Sequence, residues 1–463
     1  MSTHKTDMPT HKRKIRPYKT WLYNLLLALV SPVLLLWLGW RMLVQRKSSD
    51  GLSERFGVLP QELVKRCQTD DPVVWFHAAS VGEVAAAEPI IAAFRRHEPL
   101  AQIILSTITP TGRARAQKIE GHIDGLMYFP FDLPFAVHRV FSLLQPQLFV
   151  MVETELWPNT LAEAAHRGTR VAMVNARLSG RSWTHGRLLR GLYRWMLGNV
   201  SVICAQSEAD AERFVHLGAP AERLQIAGNS KFDQNFPVAD AAQADKWRHS
   251  FGFALTDRVL LAGSTHPGEE EPLLHLFQQL RTEFDDVQLI IAPRHPERAD
   301  AVEALIRQCG YEVTRRTHVL AGEVEPVGTG GQSAVAHVGL LDTIGELASL
   351  FSAADVVFMG GSLVSIGGHD LLQPLAAGKP VIVGPFMHKT RDIMDLALRE
   401  KVVFQVRDLD ELHVMAVELL AEADERERLA VEGPAMIARY RGASEACARA
   451  LEELLNDSPT GEQ

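Results

Sequence analysis

An alternation between short apolar runs and helical patterns is the feature that most constrains the fold of this chain. After residue 70, apolar runs such as residues 73–79 (VVWFHAA) and 147–154 (QLFVMVET) are separated by segments with helical periodicity. That alternation is typical of βαβ units, in which helices cover both faces of a parallel sheet. We therefore predict an α/β fold with doubly wound, Rossmann-like parallel sheets.

Thirteen apolar runs are predicted as strands, and they fall into two series. The first series comprises residues 73–79, 102–109, 125–131, 147–154, 170–176, 200–206 and 224–228. The second comprises residues 258–265, 287–296, 337–343, 355–362, 379–385 and 402–406. A chain of 463 residues also exceeds one ordinary core. We therefore predict a domain at 51–235, a linker at 236–257, a second domain at 258–430 and a helical tail at 431–463.

Charge is distributed unevenly along the chain. Residues 1–50 hold nine Lys/Arg and two acidic residues, so they carry +7, whereas the whole chain carries −8. An acidic body argues against a nucleic-acid partner, and a basic N-terminus favours anionic lipids. The four cysteines are far apart in sequence and form no CxxC pair. They indicate neither a disulfide framework nor a zinc site.

The basic N-terminus surrounds an uncharged segment, residues 21–40, with a tryptophan at each end. About 20 apolar residues span a bilayer, and tryptophan favours its interface, so we predict a membrane-anchor helix. Counting only charges, the six Lys/Arg before it and three after it place the body outside the cytoplasm. A helix that dips into the inner leaflet would instead keep both basic flanks, and the body, on the cytoplasmic side.

Polar loops follow several strands of the first series, where parallel sheets bind ligands. Glu83 follows Ser80 and Gly82 at a predicted strand-to-helix turn. It is either a helix-start carboxylate that complements the dipole, or a general base whose proton affinity is raised by desolvation at the wall of an interdomain cleft.

Two further acidic residues and a lysine follow later strands of this series. Glu153 and Glu155 would share a face if the strand continued through them, which requires a cation, a ligand hydroxyl or a shared proton between them. A structural pair bound to backbone N–H groups and Arg177 is the alternative. Lys231 is either a solvated side chain or a positive charge for an anionic leaving group.

The loops of the second series favour an anion site. Residues Ser264, Thr265 and His266 precede a predicted helix start, which is either an anion site or simply a well-capped helix. Arg294 directly follows a strand, where it could clamp phosphate. The glycines at 360, 361, 367 and 368 allow a ligand to approach the backbone, and Gln373 could meet ribose hydroxyls. His266, His295 and His369 lie in separate loops, so no metal site is predicted.

Together, nine ordered motifs resemble the 3-deoxy-D-manno-octulosonic acid (Kdo) transferases of bacterial lipopolysaccharide synthesis. They are FHAASVGE, TITPTG, VETELWPN, NARLSGRS, GNSKFD, GSTHPGEE, PRHPER, DTIGEL and GGSLVSIGGH. The resemblance implies a GT-B fold of two Rossmann-like domains facing a cleft, with the acceptor bound by the first domain and CMP-Kdo by the second. It also implies a lipid A precursor as acceptor, no cofactor or metal, and a location on the cytoplasmic side of the inner membrane.

Carried over by position, the resemblance implies roles for individual residues. Glu83 resembles the catalytic base, and Glu153 and Lys231 resemble residues that stabilise the transition state. The CMP-contacting segments match Pro293, Arg294, Ile344, Gly345, Glu346, Asp370, Leu371, Leu372 and Gln373. Ser80, Gly82, Glu155, Arg177, Ser264, Thr265 and His266 are further candidates for the walls of the cleft.

One segment departs from the family pattern. The family usually has Asn-x-x-Glu after GGH, whereas this chain has Asp370 and Gln373. Two other functions therefore stay open: transfer of another nucleotide sugar to a lipid acceptor, and an inactive membrane-tethered scaffold that keeps the fold. For the resembling activity, we expect Glu83 to deprotonate a lipid A sugar hydroxyl, which then attacks and inverts the anomeric carbon of Kdo.

Overall fold

The computed structural model describes residues 20–30, 51–178, 180–237, 240–322 and 337–457. The chain divides into two compact units. The first unit contains residues Met1–Gln234 and Arg441–Gln463, and the second contains Asn235–Tyr440. Each unit is built on a parallel sheet with helices around it, as the alternating pattern predicts.

The sheet of the first unit has seven strands in the order β3-β2-β1-β4-β5-β6-β7. They are β1 Val73–His77, β2 Gln102–Thr107, β3 Gly125–Tyr128, β4 Leu148–Val152, β5 Arg170–Ala176, β6 Val202–Ala205 and β7 Leu224–Ile226. All neighbouring pairs are parallel. The strands are apolar on both faces because helices cover both: Trp75 enters one core cluster, while Val74 and Phe76 enter the other.

In the described part of this unit, three helices precede β1, and the others connect the strands that follow. They are α1 (residues 20–30), α2 Leu52–Arg55, α3 Gln61–Arg66, α4 Val81–His97, α5 Pro110–Gln117, α6 Pro134–Leu144, α7 Pro158–Arg167, α8 Gly180–Leu188, α9 Arg190–Gly198 and α10 Glu208–Leu217. Short 3-10 helices lie at Glu120–His122, Ala221–Arg223 and Ser230–Asp233.

The second unit also has a seven-stranded sheet, in the order β10-β11-β9-β8-β12-β13-β14. Its strands are β8 Arg258–Thr265, β9 Val287–Pro293, β10 Glu312–Arg315, β11 His337–Leu340, β12 Val356–Met359, β13 Val381–Val383 and β14 Val403–Gln405. Its helices are α11 Ala241–Ser250, α12 Glu270–Glu283, α13 Ala299–Gln308, α14 Arg316–Leu320, α15 Leu347–Leu350, α16 Leu372–Ala376, α17 Arg391–Arg399, α18 Leu409–Ala421 and α19 Ala423–Arg439. Two 3-10 helices lie at Pro296–Arg298 and Phe351–Ala353.

The segments assigned to linker and tail have defined places in these units. Residues 236–257 include α11 and are part of the second unit, where Trp247, Phe251 and Phe253 are buried. The predicted tail is divided: α19 belongs to the second unit, whereas α20 (Ala443–Asn456) packs on the first. The buried face of α20 includes Cys447 and Leu451, which join the core beside α4.

The predicted membrane helix at residues 21–40 lies only partly within the described residues. Residues 20–30 are helical, and residues 31–40 lie outside the described ranges. Among the described residues, no helix combines the length and the apolar character that crossing a bilayer requires.

Candidate active site

Glu83 lies in the first turn of α4, directly after strand β1. Ser80 is the N-cap of this helix, and its Oγ accepts a hydrogen bond from the Glu83 N–H at 3.4 Å. In return, the Glu83 carboxylate accepts from the Ser80 hydroxyl at 2.9 Å and from the Ala79 N–H at 2.8 Å. This is a variant of the capping box, because the carboxylate accepts from the N–H of the residue before the N-cap and not from the N–H of the N-cap itself. The helix-start interpretation of Glu83 is therefore correct as a description of its contacts.

The same carboxylate also has the acidity of a general base. Burial raises its pKa to about 7, and the nearby charges of Glu155 and Glu153 act in the same direction, against the hydrogen bonds from Ala79 and Ser80. The side chain nevertheless stays partly exposed, and neighbouring Gly82 is exposed without a side chain above it. A base with a pKa near 7 is suited to take a proton at neutral pH. The two interpretations of Glu83 are thus compatible.

Glu153 directly follows β4 and pairs with two cations. Arg177 Nε donates to its Oε2 at 2.9 Å, and Lys231 Nζ lies 3.8 Å from its Oε1. The expectation that Glu153 and Glu155 share a face of a continuing strand is wrong. The strand ends at Val152, and Glu153 has a left-handed backbone with φ 60°. Because the chain turns at Glu153, Glu153 and Glu155 contact different sets of side chains.

Glu155 contacts an aromatic cluster. Trp157 Nε1 donates to its Oε2 at 3.0 Å, and His77 Nε2 lies 3.6 Å from the same oxygen. His77 is fully buried, its ring stacks on Phe129 at 3.8 Å, and its Nδ1 lies 3.2 Å from the Ser106 carbonyl oxygen. A proton on Nδ1 would donate to that carbonyl. Nε2 would then carry no proton, and it has no hydrogen-bond partner among the described residues.

The position of Lys231 is fixed by its neighbours. It lies in the 3-10 helix Ser230–Asp233, where the Ser230 N–H donates to Asn175 Oδ1 at 3.0 Å and the Ser230 hydroxyl donates to the Ala86 carbonyl at 2.8 Å. Asn175 has φ 50°, at a register shift between β5 and β6. The 3-10 helix after β7 is therefore tied to the end of β5 and to α4, and Lys231 meets Glu153, whose charge in turn reaches Glu83.

In the second unit, a buried carboxylate organises the loops that were predicted to bind an anion. Glu269 is fully buried and accepts hydrogen bonds from the backbone N–H groups of His266, Gly361, Ser362 and Leu363 at 2.7–3.0 Å. The loop after β8 and the glycine-rich loop after β12 are thereby joined. Sequence reasoning missed this role, although the GEEE run offered three candidate acids beside the loop.

Three histidines from separate loops, His266, His295 and His369, come together in this unit. His266 and His369 stack with their Nε2 atoms 2.7 Å apart, and the His295 ring lies 5.9 Å from the His266 ring, centroid to centroid. Burial, together with the charges of nearby His266, Arg294 and Lys389, lowers the pKa of His369 to about 3. Within the described part of the chain, neither Arg294 nor Lys389 has a carboxylate at ion-pair distance. The site therefore offers two cationic side chains that no described carboxylate pairs with, which suits an anionic ligand.

The other predicted site residues of the second unit differ in burial and in hydrogen-bond partners. Ser264 has φ 57°, and the Thr265 hydroxyl donates to Glu270 at 3.0 Å. Pro293 is buried at the end of β9, directly before exposed Arg294. A hydrogen-bonded pairing with Arg316 at 2.8 Å lowers the pKa of Glu346.

The segment with the family departure begins α16. Asp370 Oδ1 accepts a hydrogen bond from the Leu372 N–H at 3.0 Å, a bond that an asparagine oxygen could also accept. Leu371 and Leu372 are fully buried. Gln373 is partly exposed, whereas Gly345 and Ile344 are exposed, and the Ile344 side chain is 77% exposed.

The Asp408–Asp410 pair marks the start of a helix. Asp408 is the N-cap of α18, where its Oδ1 accepts from the Glu411 N–H at 3.0 Å. Among the described residues, no group of three or more His, Cys, Asp or Glu side chains has the arrangement of a metal site.

Solved structures with nucleotide sugars show a similar fold. A UDP-GlcNAc 2-epimerase from Neisseria meningitidis, solved with UDP-GlcNAc, is 11% identical, with a TM-score of 0.54 over 83% of this chain and 99% of that chain. The Anabaena protein HepE, solved with UDP-glucose, is 15% identical, with a TM-score of 0.54 over 82% and 99%. At these identities the likeness shows the fold alone.

Sequence comparisons show the family. The family described as "3-Deoxy-D-manno-octulosonic-acid transferase (kdotransferase)" matches residues 50–234. A 3-deoxy-D-manno-octulosonic acid transferase of Haemophilus influenzae is 33% identical over 91% of this chain and 95% of its own length. One from Bordetella pertussis is 31% identical over 82% and 87%, respectively. The chain therefore belongs to the Kdo transferases, a family of glycosyltransferases.

Proposed function

We propose that this chain transfers Kdo from CMP-Kdo to a lipid A precursor, lipid IVA, with inversion at the anomeric carbon. The observation that carries the proposal is Glu83, a partly exposed carboxylate whose pKa is raised to about 7 beside two other carboxylates and two cations. The names of the relatives support Kdo as the transferred group. A carboxylate of this acidity is the group that a hydroxyl acceptor requires as its base.

In the proposed reaction, Glu83 and Lys231 of the first unit have separate roles. The Glu83 carboxylate takes the proton of a sugar hydroxyl on the acceptor, and that oxygen forms a bond to the anomeric carbon of Kdo. The bond from this carbon to the phosphate oxygen breaks on the opposite face, and CMP leaves as a phosphate monoester anion. Lys231, held beside Glu153, offsets negative charge on the Kdo carboxylate or the leaving phosphate.

The second unit is proposed to bind the donor. Arg294 and Lys389 offer positive charge to the phosphate, and the glycines of the loops joined by Glu269 allow the ligand to approach the protein backbone closely. One oxygen of Asp370 accepts a hydrogen bond from the Leu372 N–H within the same loop, as an asparagine oxygen could. Aspartate in place of the family's asparagine is therefore compatible with donor binding. The predicted GT-B arrangement, which concerns how the two units face each other, stays a prediction.

The reaction is proposed to need no metal or other cofactor, because arginine and lysine side chains supply the positive charge at both sites. Transfer that continues unchanged in excess EDTA is the expected result. Loss of transfer in EDTA that is restored by a divalent cation would contradict this part of the proposal.

The enzyme is proposed to work at the cytoplasmic side of the cell inner membrane, anchored by residues 21–40. The nine Lys/Arg of residues 1–50 favour anionic lipids on that side. Anchoring keeps the site near an acceptor whose acyl chains hold it in the bilayer.

The test is mass spectrometry of products formed from CMP-Kdo and a tetra-acylated lipid A precursor by the purified full chain. A product heavier by one or more Kdo units is expected, and NMR of its anomeric centre checks the inversion. A panel of other nucleotide sugars tests donor identity in the same assay. No product with CMP-Kdo, but a product with another donor, would overturn the proposed donor.

A further inference from the structure

A buried carboxylate in the first unit joins the N-terminal helix to a helix beside the candidate active site. Asp132 is 7% exposed and its side chain accepts hydrogen bonds on both oxygens. Its Oδ1 accepts from the Thr160 N–H and hydroxyl at 2.9 and 2.8 Å. Its Oδ2 accepts from the Asn159 N–H at 2.9 Å and from the Tyr23 hydroxyl at 3.0 Å. Asp132 thus caps α7 from outside that helix and holds α1 at the same time.

A second contact strengthens this junction. The Asn159 amide donates to the Asn24 side-chain oxygen at 2.7 Å and to the Asp132 carbonyl at 2.5 Å. Two successive residues of α1, Tyr23 and Asn24, therefore bind the start of α7 and its cap. We call this set of four residues, Tyr23, Asn24, Asp132 and Asn159, the polar junction.

The rest of helix α1 has the opposite character. Six apolar side chains are 42–68% exposed, and they are Trp21, Leu22, Leu25, Leu26, Leu29 and Val30. The helix thus directs its polar residues at the protein and its apolar residues away from it. A lipid bilayer is the partner that suits such a surface, because the surrounding sequence is basic and complements anionic headgroups.

A short loop connects the polar junction to the candidate catalytic carboxylates. Helix α7 begins at Pro158, directly after Trp157, whose indole donates to Glu155 and packs on Phe129 at 5.7 Å between ring centroids. Glu153 lies at the other end of this loop and pairs with Lys231. Residues 153–159 thus have Glu153 at one end, beside Lys231, and Asn159 at the other end, where it holds α1.

We propose that Asp132 and Tyr23 are positioning residues that hold the lipid-facing helix at a fixed place relative to the loop with Glu153 and Glu155. A glycolipid embedded in the bilayer then presents its sugar hydroxyl to Glu83 in one orientation. This inference rests on the proposed function for its substrate, but the mechanical link between α1 and the loop is independent of it.

The test compares Tyr23→Phe with the unchanged full chain. This substitution removes one hydroxyl and leaves the apolar face of α1 intact. With acceptor in vesicles of anionic phospholipid, we expect KM to rise about three- to tenfold, the effect of losing one hydrogen bond of ordinary strength. Vesicle flotation, and kcat and KM with a deacylated, water-soluble acceptor, are expected to stay unchanged. Tyr193→Phe is the matched control, and it is expected to change none of these values.

A second measurement works without catalysis. Hydrogen exchange of residues 153–160 is followed with and without vesicles that contain no acceptor. We expect vesicles to slow exchange in the unchanged chain but not in Tyr23→Phe.

The outcomes separate the two proposals. Absence of transfer in the unchanged chain, with the exchange result intact, would overturn the proposed function alone. Two results would overturn the positioning role. One is an equal rise in KM with both acceptors in Tyr23→Phe, and the other is hydrogen exchange in the unchanged chain that is the same with and without vesicles.

Discussion

The two units have similar sheets but differ in the charges at their strand ends. In the first unit, three carboxylates (Glu83, Glu153 and Glu155) share the edge of the sheet with Arg177 and Lys231. In the second, two histidines with lowered pKa lie beside Arg294 and Lys389. The first arrangement can exchange a proton, and the second can hold an anion. In the proposed reaction, the chemistry is therefore divided between the units by their loops and not by their sheets.

Removing the proposed base tests the first unit most strongly. Glu83→Gln keeps the size of the side chain and an oxygen for the Ala79 N–H, so the fold should persist. We expect transfer to fall on the order of 10²–10⁴-fold, the usual contribution of a general base, while CMP binding stays unchanged. Single-turnover kinetics and calorimetry with CMP measure the two effects. Turnover like that of the unchanged chain would remove Glu83 from its role.

Lys231→Met should have the next largest effect. It removes the positive charge next to Glu153 but keeps most of the apolar stem. We expect kcat to fall about 10²-fold, as for loss of one group that stabilises transition-state charge. Lys118→Met, at an exposed lysine that follows α5, is the matched control. A kcat equal to that of the control would show that Lys231 is only a structural partner of Glu153.

Arg294→Ala tests the second unit. Loss of a charged contact to phosphate should weaken CMP binding about 10–100-fold, measured by calorimetry. Arg307→Ala, on α13, is the control because Arg307 pairs with Glu303 of its own helix. Unchanged CMP affinity in Arg294→Ala, or an equal loss in the control, would break the division of roles between the units.

The smallest expected effect concerns stability. The pKa of Glu83 rises on folding from 4.5 to about 7, so between these pH values the folded state keeps a proton that the unfolded state loses. Stability therefore falls as pH rises through this window. Glu83→Gln lacks this penalty and should gain about 2–3 kcal/mol relative to the unchanged chain between about pH 5 and pH 8. Thermal unfolding at the two pH values measures this, and an equal pH dependence in both proteins would contradict it.

The same ionisation should appear in the rate. Transfer should increase as pH rises through about 7, where Glu83 becomes the carboxylate that accepts a proton. A rate of transfer by the unchanged chain that is flat from about pH 5 to pH 8 would contradict this expectation.

Most of the fold could be predicted from the sequence, and the exceptions have physical reasons. All thirteen predicted runs contain strands, but β10 (Glu312–Arg315) was missed. It has four residues, lies at a sheet edge and pairs only with β11 among the described strands, so it needs few apolar side chains. Helix α11 was missed because the absence of apolar strand patterns at residues 236–257 was interpreted as a linker. The helix is part of the second unit, where Trp247 is buried.

The candidate site was predictable in its residue types but not in its pairings. The SVGE pattern indicates both a capping box and a possible base, and only the neighbouring carboxylates and burial give Glu83 its raised pKa. His77 was missed because it ends an apolar strand. The left-handed backbone at Glu153 has no signal in the sequence, since glycine is absent from that position.

The alternating parallel-sheet units, the strand-end loops and the family all follow from the order of amino acids, because each depends on local periodicity or on motifs. Which side chains meet depends instead on tertiary packing. Asp132 with Tyr23, Glu269 with the glycine-rich loop, and His266 with His369 are each joined over 90 or more positions of sequence. Such contacts require whole elements to pack in one arrangement, which no short pattern in a sequence specifies.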